Sequence, residues 1–282
     1  MRRRSRGLLR RLSDPIRGSA WMTALALGGA SAPAHALAPQ VFERQVRVGD
    51  RTVHALCTSG PRQALLLQGD GARAEDWRPV LERLDGLLGA CAYERVRLYG
   101  DADPRGWFEL MDEMRRIHGA LGFRDGYILV GHSLGGLYAR LYAADRPLDV
   151  TGLVLVDPAH EDMPEQVQRW MPRPVWEEWM RLRSHPNADG VRETELAQRA
   201  RSIRSTTGIP VTVITAMQRH DTGGNERFLS EAARRVHASI LEGVAHGRHI
   251  PATRSGHDVH LDEPDLVARE VVRAVRQAAW DQ

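Results

Sequence analysis

The stretch LVGHSLGGLYARLYA, Leu129 to Ala143, constrains the fold more than any other part of the chain. An apolar run stops on Gly-His-Ser-Leu-Gly-Gly, and a helical pattern resumes at once on the far side. Gly131-x-Ser133-x-Gly135 between a buried strand and a helix has the pattern of a nucleophile elbow. Such a turn is strained, and strand and helix approach too closely for a Cβ at the flanking positions. The serine hydroxyl is thereby lifted above the carboxyl edge of the sheet, at the positive end of the next helix. There the backbone N–H of Leu134 can meet a developing oxyanion. The plainer alternative is a glycine-rich turn in which Ser133 only caps a helix.

The rest of the chain supplies the strands and helices that such a turn requires. Val41 to Val48 and Arg51 to Ser59 alternate apolar and polar residues around Gly49-Asp50 and predict a β-hairpin with one solvated face. Gln63 to Gly69, Gly126 to His132, Thr151 to Asp157 and Ile209 to Thr215 are continuous apolar runs that suit strands buried on both faces of a parallel sheet. Helical patterns over Glu75 to Leu88, Gly106 to Leu121, Leu134 to Ala144, Asn225 to Gly243 and Pro264 to Trp280 alternate with them. This alternation predicts a three-layer α/β domain over residues 37–157 and 209–282. Residues 158–208 carry no strand pattern; helical runs bearing Trp170, Trp176 and Trp179 predict a helical cap inserted above the sheet. Whether it acts as a lid over a pocket or simply packs on the core is open at this level.

Charge is concentrated in residues 1–36, which hold seven arginines against Asp14. An Arg-rich opening, the apolar run Trp21 to Ala32 and the small residues of Ala34-His35-Ala36 predict a signal peptide cleaved before Leu37, and so an exported, periplasmic or secreted protein. The run is too short and glycine-rich to span a bilayer, and no basic amphipathic helix marks stable membrane insertion. Without the leader, 32 basic residues face 35 acidic ones, which removes the support for a nucleic-acid partner. All 39 basic residues are arginine, so Schiff-base chemistry, pyridoxal-phosphate attachment and a Walker A loop are excluded.

A serine hydroxyl needs a base, and the base needs an orienting acid. His257 follows the strand-like RHIPATR and precedes the last helix, the position from which a loop can reach the sheet edge; His260 is second choice. His246-x-x-His249 and His257-x-x-His260 show no third ligand in the sequence and neighbour glycines, so no metal and no other cofactor is expected.

These residues resemble the α/β-hydrolase superfamily, and within it bacterial esterase-like serine hydrolases. Cys57, ALLLQGDG, AEDWRPVLERL, CAYER, LVGHSLGGLYARLYA, GLVLVDPAHED and SGHDVHLDEPDLV carry the resemblance, in order from Val53 to Ala274. It implies an eight-stranded, mostly parallel sheet with helices on both faces and a short helical cap. It also implies a small-molecule ester substrate cleaved through an acyl-enzyme, with the backbone N–H of Asp70 as second oxyanion donor beside Leu134. The same triad serves amidases, lactonases, perhydrolases and hydroxynitrile cleavage, and the scaffold also carries feeble binding or signalling proteins. Gln68-Gly69-Asp70 departs from the usual His-Gly or Ala-Gly followed by an apolar residue, so the Asp70 carboxylate has to point away from an oxyanion. CAYER departs from the family's Asp-Arg and glycine-rich turn. The superfamily most often places its acid after the seventh strand, where Asp221 stands, and less often one strand earlier, where Asp157 stands; the rigid strand end favours Asp157. In this fold the second and fourth strands are antiparallel neighbours, so Cys57 and Cys91 are candidates for a disulfide, with two buried thiols as the alternative.

Overall fold

Within each buried run, alternate residues feed two different cores, which is why the runs are continuously apolar. The computed structural model describes residues 40–95, 105–203, 208–218 and 226–280; the leader and Asp221 lie outside them. Strands β1 (Phe42–Val48), β2 (Arg51–Cys57), β3 (Arg62–Leu67), β4 (Gly89–Tyr93), β5 (Tyr127–His132), β6 (Val150–Val156), β7 (Val211–Ala216) and β8 (Gly247–Ala252) form one sheet in the order β1-β2-β4-β3-β5-β6-β7-β8. The β1–β2 hairpin and the β2–β4 pair are antiparallel, and every other pair is parallel. Leu65, Leu67, Leu129, Leu153 and Leu155 enter the core on one face, with helices α2 (Trp107–Leu121) and α3 (Leu134–Asp145). Their neighbours Leu66, Ile128, Val130, Val154 and Val156 enter the core on the other, with α1 (Arg78–Leu84) and the last helix, Pro264–Trp280.

The helix expected over Glu75 to Leu88 is shorter: a 3-10 turn, Ala74–Trp77, leads into α1, which stops at Leu84. Asp85 leaves helical geometry at ψ 137° to accept hydrogen bonds from the Gln40 and Ser59 amides, and Gly86 takes the left-handed turn at φ +73° that follows. Cys57 and Cys91 are register partners on β2 and β4, joined as a disulfide with Cα atoms 4.2 Å apart.

Between β6 and β7 the described residues form α4 (Met163–Gln168), α5 (Arg173–Arg183) and α6 (Glu193–Ser202). Trp176 and Trp179 pack with Val167, Met171, Leu229 and Ala232 into a small separate core against α7 (Glu226–Ser239). The short helix α8 (Val259–Asp262) and then α9 (Pro264–Trp280) close the chain.

Candidate active site

Backbone sterics make the turn at Ser133. A Cβ on Gly131 would stand 2.6 Å from the Gly136 Cα, and one on Gly135 would stand 2.8 Å from the Leu67 carbonyl carbon, distances no packed structure tolerates. With glycine at both positions, α3 starts directly against β3 and β5, and Ser133 takes φ +51°, ψ −121°. Its side chain makes no capping hydrogen bond to the helix it precedes, so helix capping does not account for it. Among the described residues the non-glycine positions with positive φ are Ser133 and Asp157, at +51° and +42°. Each such residue costs roughly 1–3 kcal/mol, and these two stand at the carboxyl ends of the neighbouring parallel strands β5 and β6.

Asp157 is buried and doubly held. Its Oδ2 accepts a 2.7 Å hydrogen bond from His257 Nδ1, and its Oδ1 accepts one of 3.0 Å from the Ala216 amide at the end of β7. Burial pushes the carboxyl up, but the His257 hydrogen bond, nearby His237 and the Ala216 N–H outweigh it and hold the group below its ordinary value. The carboxylate is therefore ionised throughout the neutral range. His257, with its side chain 56% exposed, carries its ring proton on Nδ1 toward this carboxylate, which leaves Nε2 as the basic nitrogen.

Two histidines missing from the sequence assignment, His132 and His237, support this pair. His132, next to Ser133, donates from Nε2 to the His257 carbonyl at 2.9 Å, and its ring lies 4.6 Å from that of His257 and 4.3 Å from that of His260. His237 Nε2 donates to the Pro158 carbonyl at 2.8 Å; its Nδ1 accepts from the Thr215 hydroxyl, whose oxygen accepts from His249 Nε2 at 2.7 Å. Burial lowers His237 and keeps it neutral. Only the placement of His132 within the glycine-rich knot was visible as a signal in the sequence. The His260 ring packs against those of His132 and Trp77 at tilts of 40° and 43°. His132, Asp258 and His260 are the described residues whose ligand atoms, within 4.8 Å of one another, could hold a cation, although His132 Nε2 is already engaged.

The Gly69 to Asp70 loop lies against Ser133: a Cβ on Gly69 would stand 3.3 Å from Ser133 Cβ and 3.2 Å from His132 Nδ1. The Asp70 carboxylate accepts a 2.8 Å hydrogen bond from the Ala188 amide in the α5–α6 connection. In CAYER, Glu94 pairs with Arg73 and accepts the Ala74 amide, while Arg95 is fully buried beneath the Asp70 loop. Leu134, also buried, opens α3 beside it. Arg95 was missed as a site residue because a lone arginine after a strand carries no chemical pattern.

A model of the alpha/beta hydrolase family matches residues 64–270. The chain belongs to that family. It is 25% identical over 209 residues to the uncharacterized protein YqjL of Bacillus subtilis (strain 168), covering 71% of this chain and 78% of YqjL. Among solved structures it is similar to the carboxylesterase CesB (YbfK) of Bacillus subtilis, at 16% identity and TM-score 0.52 over 84% of this chain and 92% of that one. It is also similar to the haloalkane dehalogenase DatA of Agrobacterium tumefaciens C58, at 13% identity and TM-score 0.58 over 84% and 97%. Identities this low establish the fold alone, and an esterase and a dehalogenase share it. Among the described residues no helix of this hydrolase is long and apolar enough to cross a membrane.

Proposed function

We propose that the protein is an exported serine hydrolase that cleaves carboxylic esters through an acyl-enzyme. The observation that carries this reading is the paired strain at Ser133 and Asp157 on adjacent strand ends, with His257 hydrogen-bonded to the second. Strain maintained at two neighbouring polar residues fits a site that needs both groups in one geometry. Ser133 Oγ attacks the acyl carbon as its proton passes to His257 Nε2. The Asp157 carboxylate stabilises the imidazolium, and the Leu134 and Asp70 amides hold the oxyanion. Collapse expels the alcohol, protonated by His257, and a water deprotonated by the same ring then frees the acid. In this reading Asp221 has no part in the triad. The engagement of the Asp70 carboxylate by Ala188 weighs against a catalytically feeble scaffold, because that charge has a partner other than the oxyanion. The disulfide supports export, since such bonds persist in oxidising compartments. N-terminal sequencing of the exported protein should read from Leu37, and an intact Met1 in cytosolic material would contradict export.

A panel of p-nitrophenyl esters of graded acyl length, run beside amide and lactone substrates and a Ser133→Ala control, tests the reaction class. Ester turnover that vanishes in the control is the expected result. Turnover persisting in Ser133→Ala would refute it.

A further inference from the structure

In the connection between α5 and α6, Asn187, Asp189, Gly190 and Val191 are buried, which is uncommon for a loop because buried backbone needs internal partners. Here they are present. Asn187 Oδ1 accepts the amides of Asp189 and Val191 at 3.0 and 3.1 Å, Asn187 Nδ2 donates to the Tyr138 hydroxyl at 2.8 Å, and the Asn187 amide donates to the Val191 carbonyl at 2.9 Å. Val191 is wholly buried in the core, and Arg105 donates from Nε to the Asp189 carbonyl at 2.6 Å. The loop is thus fixed from several sides before it touches the site.

It touches the site twice. Asp189 Oδ2 accepts a 2.9 Å hydrogen bond from Arg95 Nε, with both side chains buried. The other two nitrogens of that guanidinium donate to the carbonyls of Gln68 at 2.9 Å and Gly69 at 3.2 Å. Tyr138 lies under the cation at 4.8 Å. Separately, the Ala188 amide holds the Asp70 carboxylate. The Gly69 carbonyl and the Asp70 N–H belong to one planar trans peptide unit and point in opposite directions. Whatever fixes the Gly69 oxygen therefore fixes the direction of the Asp70 N–H, and a cation on that oxygen polarises the same unit and strengthens its N–H as a donor.

We infer that Asp189 is a positioning residue for the oxyanion hole: through Arg95 it orients the Asp70 N–H, so that the loop between α5 and α6 and the oxyanion donor form one mechanical unit. This inference rests on the serine-hydrolase reading above. It predicts that disturbing a residue that never meets substrate weakens binding of the tetrahedral species while leaving ground-state binding intact.

The test compares Asp189→Asn and Asp70→Ala with the unaltered protein, using a p-nitrophenyl ester for kcat and KM and a trifluoromethyl ketone, which forms an oxyanion-bearing adduct with serine, for Ki. Asp189→Asn should lose about 10- to 100-fold in kcat with KM within about twofold, and Ki should rise in proportion to the loss in kcat/KM. Asp70→Ala, which removes an exposed tether and keeps the backbone N–H, should show a smaller loss of the same kind; it carries the test if Asp189→Asn does not fold. A folded Asp189→Asn with unchanged kcat, or a loss in kcat with Ki unmoved, overturns the inference. An unaltered protein that neither turns over esters nor binds the ketone overturns the hydrolase reading itself and the inference with it.

Discussion

The turn bearing Ser133 and the loop bearing Asp70 stand side by side at the sheet edge, held by different means. The turn is fixed by backbone crowding within a few residues: Gly131 and Gly135 admit the close approach of α3, and the strand-to-helix transition leaves Ser133 no other conformation. The loop is held by contacts with distant parts of the chain: Gln68 Nε2 donates to the Tyr93 carbonyl, Arg95, itself paired with Asp189, donates to the Gln68 and Gly69 carbonyls, and the Ala188 amide donates to the Asp70 carboxylate. Local sterics make one wall of the site self-sufficient, whereas the other wall depends on the integrity of β4 and of the insert between β6 and β7.

The largest expected effect separates the proposed catalytic pair from its surroundings. Asp157→Asn should lose on the order of 10⁴-fold in kcat, and Asp221→Asn should stay near the unaltered protein. Comparable mild losses in both would break the assignment of the acid. On the Asp70 side, replacing Cys57 and Cys91 by alanine removes the cross-link between β2 and β4 and should cost about 3 to 4 kcal/mol, read from urea unfolding. On the Ser133 side, Gly131→Ala should cost about 3 kcal/mol by the same measurement, because the backbone around it cannot retreat. If Gly131→Ala proved neutral, crowding would not be what sets the turn.

A pH-dependent effect concerns three buried histidines. His118 bridges the Tyr93 hydroxyl on β4 and the Tyr127 hydroxyl on β5, and burial pushes it down to about 3. Burial likewise pushes His160 and His260 down to about 4. Folded values below the unfolded value of about 6.5 mean that the unfolded chain binds more protons between them. The stability from these groups is complete above that pH and is lost as pH falls toward 4. Urea midpoints should fall between pH 7 and 4, and His118→Gln should make that fall shallower.

The difference between the walls also explains what the sequence revealed. The knot at Ser133 was legible because its cause is local: Gly131, Ser133 and Gly135 lie within five residues and the apolar period changes across them. Asp157 followed from its place at the end of a run that reads as buried, and His257 from its place between the strand-like RHIPATR and the last helix. Arg95 and Asp189 were not legible. They are 94 residues apart, and each reads alone as an ordinary surface charge until folding buries them together. His132 was in view but without a role, because its partner, the His257 carbonyl, lies 125 residues away.

The central claim is that Ser133 is a nucleophile activated by the His257–Asp157 pair. Labelling with a fluorophosphonate, followed by peptide mass spectrometry, tests it most directly. A single adduct on Ser133, formed far more slowly in His257→Ala and absent in Ser133→Ala, is the predicted result. An unlabelled protein, or an adduct on any other residue, would contradict it.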